Sequence, residues 1–334
     1  MIDGPTPTNV QHTSDLSVRP LVTVVIPMLN ERAGLDVLAA RLKTALAGTS
    51  VRWEIVVVDD GSTDGTREVL AHVLGGFEKW KAVILSRNFG QQAAYRAGLE
   101  YASGDAVIFL DADLQDPPEM IPKLIEAWQS GNKVVNAVRA SRQERGPRRW
   151  LFDAFHTLFH RVTRRAMPAN SGTFALLDRV IVNHLLKARE VNLFLPALKN
   201  WFGYPQATIV YDRQERAVGA PKQSFKKLFA YALNGLLSFS ELPLQWIAVA
   251  GVFVSVLSFG YAGVLLTIKF AQFFGGMLQF EVKGFTTLAV AMFCLGGVQL
   301  LCLGIIGQYL AAMYREMKGR PVYVVERVLS SNES

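Results

Sequence analysis

From residue 21 onward, short runs of β-branched residues alternate with longer stretches whose apolar positions recur at helical spacing. The runs "LVTVVIP", "WEIVVVDD", "KAVILSR", "DAVIFLD" and "KVVNAVR" predict strands. Stretches such as "AGLDVLAARLKTAL" and "GQQAAYRAGLEYA" predict the helices between them. Because the Val/Ile runs are continuous rather than alternating, the strands should be buried on both faces. That is the pattern of a mostly parallel, Rossmann-like sheet in an α/β domain, with helices on both faces. Residues 170–212 give a mixed pattern with no clear assignment.

A different pattern takes over further along. Leu242 to Ile268 carries no charged side chain, and neither does Gly284 to Tyr314. Each is longer than the roughly 20 apolar residues a helix needs to cross a bilayer, so two consecutive stretches predict a transmembrane hairpin. Just before it, "SFKKLFAYALNGLLSFS" places Lys227, Tyr231, Asn234 and Ser238 opposite Phe225, Leu228, Phe229, Leu233, Leu236 and Leu237. This predicts an amphipathic helix lying in the membrane interface, in contact with lipid. The expected division is a flexible tail over 1–20, a catalytic domain over 21–220 and a juxtamembrane helix over 221–241. A hairpin over 242–314 (spans 242–268 and 286–314) and a C-terminal tail over 315–334 complete it.

Charge sets the expected orientation. Lys222, Lys226 and Lys227 precede the first span, and Arg315, Lys318, Arg320 and Arg327 follow the second, whereas the loop between holds only Lys269 and Lys283 near its ends. The positive-inside rule then places the domain and the C-terminus in the cytoplasm. Residues 1–20 have no apolar core of the signal-peptide type.

Over 334 residues the net charge is +7, the isoelectric point is about 9.4 and mean hydropathy is +0.21. A basic, apolar chain suits anionic lipid or phosphate-bearing substrates. It carries no finger, RNP-type or basic-zipper pattern, which argues against nucleic acid as a partner. The two cysteines, Cys294 and Cys302, fall within the second span and form no metal or redox motif. Gly251, Ser255, Gly304 and Gly307 offer small surfaces for helix packing, compatible with a homo-oligomer.

The polar residues fall at the carboxyl ends of the predicted strands: Asn30 and Glu31, Asp59 and Asp60, Arg87 and Asn88, Asp111 and Asp113, then Arg139. In an open parallel sheet those ends form one edge and line its ligand crevice. Asp111 and Asp113, one residue apart, suit a divalent cation with oxygen ligands, Mg²⁺ or Mn²⁺, completed by water and substrate phosphate. Such an ion neutralises charge on a departing diphosphate. Asp116 fits a helix cap ahead of Pro117 and Pro118, and "DDGSTDGT" reads as an acidic turn in which Ser62, Thr63 or Asp64 caps the next helix. No two glycines stand two apart and no Walker lysine loop is present, so the common dinucleotide and P-loop fingerprints are absent.

"VVIPMLNE", "VVVDDGSTDGT", "SRNFGQQAA", "GLEYASGD" and "LDADLQDPPEM", followed by "NLFLPALKNWFGYPQ", "YDRQERAVG" and "GRPVYVVER", closely resemble the polyprenyl-phosphate glycosyltransferases of glycosyltransferase family 2. The resemblance implies a GT-A fold. It implies inverting transfer of a sugar from a nucleotide-sugar donor, most simply UDP-glucose, to a polyprenyl phosphate acceptor such as undecaprenyl phosphate. The corresponding location is the inner membrane of a bacterium. Carried over by position, Pro27, Asn30, Glu31, Asp59 and Asp60 surround the nucleotide, together with Ser62 and Arg87. Asp111 and Asp113 hold the metal with Gln115 beside them, and Arg139, Arg213, Arg216 and Lys222 meet phosphates. The catalytic candidates are Asp111, Asp113, Gln115, Asp116 and Arg139.

The chain departs from the family where members often read Gly-Asp-Phe-Arg-Leu: here "GTFAL" puts Thr173 and Ala175 in place of an acid and a base. Gln223, Asn234 and Gln245 are further departures. A missing general base need not abolish the reaction, because a phosphate monoester has a second pKa near about 6 and its oxygen is already largely anionic at neutral pH. Two other functions fit parts of the pattern. A processive polysaccharide synthase needs a longer membrane pore and a Gln-x-x-Arg-Trp motif, and no glutamine precedes Arg149 and Trp150 at that spacing. A non-catalytic assembly subunit would account for Thr173 and Ala175 but not for an intact Asp111/Asp113 pair.

Overall fold

The computed structural model describes residues 19–140, 171–188, 195–212, 242–275 and 285–331. All five predicted strands form: β1 (Leu21–Met28), β2 (Arg52–Asp59), β3 (Trp80–Leu85), β4 (Ala106–Phe109) and β5 (Val134–Arg139). Three more join them, β6 (Ser171–Asp178), β7 (Gln206–Tyr211) and β8 (Val325–Ser330), in the order β7-β5-β6-β4-β1-β2-β3-β8. β1 pairs in parallel with β2 and β4, as do β2 with β3 and β5 with β7. β6 is antiparallel and lies between β4 and β5, and β8 is antiparallel at the edge beside β3.

Helices cover both faces. α1 (Leu35–Ala47) buries Leu35, Leu38, Leu42 and Leu46, which recur at helical spacing. With α2 (Thr66–Leu74) and α4 (Ile121–Gln129) it closes one apolar layer over Val24, Ile26, Ile55 and Ile108. On the other face α3 (Gln91–Tyr101), α5 (Arg179–Lys187) and α6 (Leu195–Trp201) pack over Val25, Val56, Phe109 and Leu177. α3 lies so close to β1 that a Cβ on Gly98 would come within 2.2 Å of Val25 Cγ1. Only glycine permits that approach.

The sheet reverses its winding at β1, because β2 lies to one side of it and β4 to the other. The strand ends flanking such a switch open a crevice. β6 runs antiparallel with Ala175 opposite Phe109, which brings its first residues, including Thr173, to the same edge.

Two long helices follow, α7 (Leu242–Gly275) and α8 (Phe285–Met317). Val252, Phe253, Phe259, Leu300, Leu303 and Leu310 stand exposed on them. Among the described residues, Leu295–Met317 is long and apolar enough by itself to cross a membrane, and Ile247–Tyr261 is a shorter apolar stretch. The expectation of a C-terminal tail over 315–334 needs correction. Val325–Ser330 is a strand of the sheet, with Val328 opposite Val83 and Arg327 opposite Ile84. β3 would otherwise present an unpaired edge, and β8 supplies the missing partners. The juxtamembrane helix expected over 221–241 lies outside the described residues.

Candidate active site

The crevice is built loop by loop from the strand ends. After β1 the backbone turns at Asn30, which takes a left-handed conformation (φ 56°) that asparagine tolerates better than most residues. Its backbone N–H donates to Ser62 Oγ at 2.9 Å, and its side-chain Oδ1 accepts from the N–H of Thr63 at 2.8 Å. Glu31 N–H donates to Thr66 Oγ1 at 3.2 Å. The loops after β1 and β2 are therefore stitched together, and Ser62 acts inside that seam. Asp64, not Ser62, receives the first-turn N–H of α2, from Thr66 at 3.0 Å.

The acids after β2 are engaged by protein donors. Asp59, fully buried, accepts from Arg67 Nε at 2.7 Å and from Ser62 N–H at 3.2 Å. Arg67 also reaches Glu326 of β8 at 3.3 Å and the Leu85 carbonyl at 3.1 Å. Asp60 accepts from the N–H groups of Phe89 and Gly90 at 2.7 and 2.9 Å. Burial pushes the Asp60 carboxyl above its ordinary value against those two donors. Gly61, at φ 81°, passes close against the β3 loop, where a Cβ would lie 2.5 Å from Asn88 N. Arg87 is exposed, with its guanidinium 4.1 Å from the centre of the Phe89 ring.

The loop after β4 is arranged differently. Asp111 is half-buried, and its Oδ1 accepts from the Tyr95 hydroxyl and from Gln91 Nε2 at 3.2 Å. Asp113 Oδ1 accepts from Gln115 N–H at 3.1 Å. Between them the chain passes through Leu114, a buried leucine at φ 58°, a conformation costing about 1–2 kcal/mol for a residue with a Cβ. This strained turn aims Asp111 and Asp113 from one short loop. Burial, then the neighbouring carboxylates of Asp116 and Asp113, lift the Asp111 carboxyl to about 6 against the hydrogen bond from Tyr95.

Asp116 does not cap a helix. The residues that precede the following turns, Pro117 and Met120, make no side-chain cap, and Asp116 instead accepts from the Tyr211 hydroxyl with Arg139 Nη2 at 3.6 Å. Arg139 Nε also donates to the Tyr211 oxygen at 3.3 Å. The end of β5 is thus tied to the end of β7 and to the loop after β4. Pro27 is buried within β1, one residue before its end. Arg213, Arg216 and Lys222 lie outside the described residues.

Three residues that sequence reasoning passed over belong to this network: Gln91, Tyr95 and Tyr211. Thr173, at the position that lacks the family's acid, stands near the Tyr95 hydroxyl. Tyr95 occupies an apolar slot of α3 and gives no polar signal in the sequence; Tyr211 ends a stretch whose pattern was mixed.

The donor set fits a hard divalent cation. It offers two carboxylates one residue apart and Oδ2 of Asp111, which has no hydrogen-bond partner among the described residues. Among the described residues no cluster of three or more His, Cys, Asp or Glu is set to hold a metal, so most ligands of such an ion would come from water and substrate.

Residues 23–186 match the family described as Glycosyl transferase family 2. An uncharacterized glycosyltransferase of Synechocystis sp. is 41% identical over 305 residues, 91% of this chain and 94% of that one. The SfII prophage-derived bactoprenol glucosyl transferase of Shigella flexneri is 34% identical over 309 residues, 92% of this chain and 97% of that one. Among solved structures, glucosyl-3-phosphoglycerate synthase from Mycobacterium tuberculosis has a TM-score of 0.47 at 20% identity, over 66% of this chain and 80% of that one. With relatives this similar along nearly its whole length, the chain belongs to glycosyltransferase family 2, and it is a glycosyltransferase.

Proposed function

We propose that this enzyme transfers a sugar, with inversion, from a nucleotide-sugar to a polyprenyl phosphate held at the membrane surface, and that UDP-glucose and undecaprenyl phosphate are the first pair to test. The observation that supports the reading is the pair Asp111 and Asp113, one residue apart in the loop after β4 at the switch point of the sheet, with Asp111 held by protein donors on Oδ1. A bactoprenol glucosyl transferase at 34% identity over 92% of the chain supports the substrate class.

Asp111 and Asp113 would hold Mg²⁺ or Mn²⁺, which when bound offsets charge on the diphosphate. An acceptor phosphate oxygen, anionic at neutral pH, forms the new bond to the anomeric carbon from the face opposite the diphosphate. The bond to the diphosphate breaks with its electron pair, and no proton has to leave the acceptor. Asn30, Glu31 and Ser62 shape the wall of the donor site, and Arg87 stands exposed at its rim. Arg139, braced by Asp116 and Tyr211, faces the phosphates, with Gln115 beside the acids. Arg213, Arg216 and Lys222 complete the phosphate contacts.

Topology supports a hairpin. β8 follows α8 and pairs with β3, so the chain leaves the sheet after β7 and returns to the same sheet. A membrane excursion that begins and ends on one side crosses an even number of times, and α7 and α8 are the two long helices available among the described residues. Lys226 and Lys227 before them and Arg315, Lys318 and Arg320 after them favour the cytoplasmic side of a bacterial inner membrane. The catalytic domain then comprises residues 21–220 together with β8.

The test is a panel of UDP- and GDP-sugars offered to the purified full chain with a short polyprenyl phosphate, with and without Mg²⁺ or Mn²⁺, products identified by mass. A single sugar joined to the lipid phosphate only when metal is present is the expected result. A ladder of sugars, or equal turnover in chelator, would overturn it.

A further inference from the structure

The geometry points to Tyr95 and Gln91, backed by Thr173, as a clamp that fixes the Asp111 carboxylate so that one oxygen is held by protein and the other is presented to the cation. This rests on the divalent-ion reading of Asp111 and Asp113 and assigns positioning residues to it.

Both donors converge on the same atom. The Tyr95 hydroxyl and Gln91 Nε2 each hydrogen-bond Asp111 Oδ1, whereas Oδ2 has no hydrogen-bond partner among the described residues. Gln91 Nε2 also reaches the Tyr95 oxygen at 3.2 Å, and Thr173 stands near it. A phenol has one proton to donate and lone pairs to accept with. Its proton goes to Asp111, while Gln91 supplies a hydrogen bond it accepts.

The ring itself is immobilised. Tyr95 is fully buried, and it meets Phe109 edge-on with ring centres 5.0 Å apart and planes at 82°. Phe109 is the last residue of β4, so the clamp is braced on the strand that carries Asp111. A tyrosine buried only for packing needs one acceptor for its hydroxyl. This one joins α3 to the loop after β4 at a single oxygen, with Thr173 of β6 near it. A carboxylate left to rotate would offer either oxygen in many orientations, whereas a clamped one is pre-organised. Partners of this kind are typically worth about 10–100-fold in metal affinity.

The experiment is Mn²⁺ titration of the full chain in detergent with UDP present, following the free-ion electron paramagnetic resonance signal. Tyr95→Phe keeps the ring and its contact with Phe109 but removes the hydroxyl. It should weaken Mn²⁺ binding about 10–100-fold and raise the metal concentration for half-maximal transfer in parallel, with most of the maximal rate recovered at saturating Mn²⁺. Thr173→Val, which leaves Tyr95 in place, should shift both quantities in the same direction by less, and Thr173→Ser should restore them. Unchanged Mn²⁺ affinity in Tyr95→Phe and Thr173→Val, with binding lost in Asp113→Ala, would overturn the clamp alone. Binding retained in Asp113→Ala as well would overturn the metal reading on which it rests.

Discussion

Two acidic pairs stand on the same edge of the sheet, one on each side of β1, and the protein treats them in opposite ways. After β2, Asp59 meets Arg67 and Asp60 meets two backbone N–H groups, so each carboxylate has its donors within the fold. After β4, Asp111 is clamped on one oxygen, left open on the other, and crowded by Asp113 and Asp116. The residue type and the strand position are the same. Engagement differs: the first pair fastens loops, whereas in the second Asp111 keeps one oxygen with no hydrogen bond among the described residues. A buried carboxylate with its donors in place contributes to architecture, whereas one short of them is a site for a ligand.

The sharpest test of that contrast is Asp113→Ala. Transfer to lipid phosphate should fall by at least about 10³-fold, the scale on which removing a charge-stabilising group acts, while membrane insertion and the thermal midpoint stay near those of the parent. Excess chelator should reproduce the loss in the unmodified protein. Turnover retained in the variant would place the chemistry elsewhere in the crevice.

Asp59→Asn should fail in the other direction. It removes the charged partner of Arg67 from a fully buried position, and breaking such a pair costs about 3–5 kcal/mol. Denaturant unfolding of the soluble domain signal should register that loss, and the β8 edge should loosen with it because Arg67 also holds Glu326. Normal stability combined with lost UDP binding would show that Asp59 belongs to the donor site, and the contrast between the pairs would break.

How much of this was readable beforehand follows from the kind of interaction involved. The five central strands are visible as uninterrupted Val/Ile runs because both of their faces are buried, and the crevice follows from where Asp111, Asp113 and Arg139 end those runs. β6 was not assigned: "SGTFALLD" has no strong period, and its place between β4 and β5 depends on pairing with residues some 40–70 positions away. β8 was missed because it follows the apolar helices and reads as a basic tail. Asp116 looked like a helix cap, since a cap needs only neighbours in sequence, whereas its actual partner Tyr211 is 95 residues distant. Tyr95 was hidden for the same reason. Its hydroxyl acts across the fold, and its ring fills an ordinary core position.

A third buried acid extends the comparison to the far end of the sheet. Glu54 is fully buried among Thr23, Ser103 and the ammonium groups of Lys79 and Lys81, the latter two at 3.4 and 3.2 Å. Burial alone would raise its carboxyl, but hydrogen bonds from Ser103 and Thr23 and the charge of Lys81 hold it down to about 2. The folded value is therefore depressed below that of the unfolded chain. Its stabilisation is present above about pH 4.5 and is lost as pH falls through about 2, a contribution on the order of 3 kcal/mol. Glu54→Gln should flatten that part of the acid-unfolding profile, and a profile unchanged by the substitution would remove Glu54 from the class of satisfied acids.

The smallest effect expected concerns a cation without an answering charge among the described residues. Lys199 of α6 is 1% exposed and its Nζ donates to the Gly172 carbonyl at 2.9 Å, with no described carboxylate paired to it. Desolvation lowers the ammonium to about 7, below the ordinary lysine value of 10.5. Between those two pH values the unfolded chain binds more protons than the folded one, so stability rises with pH across the window and the penalty is fully present below about 7. Lys199→Met fills nearly the same volume without the charge. Replacing buried charge by a packed apolar side chain is often stabilising by about 1–4 kcal/mol, and the lost bond to Gly172 returns about 1 kcal/mol of that. The net gain should be about 1–3 kcal/mol at pH 6, shrinking as pH approaches 10. Thermal unfolding of the two proteins at pH 6 and pH 9 measures it. A methionine variant less stable than its parent at both pH values would show that this ammonium is satisfied after all.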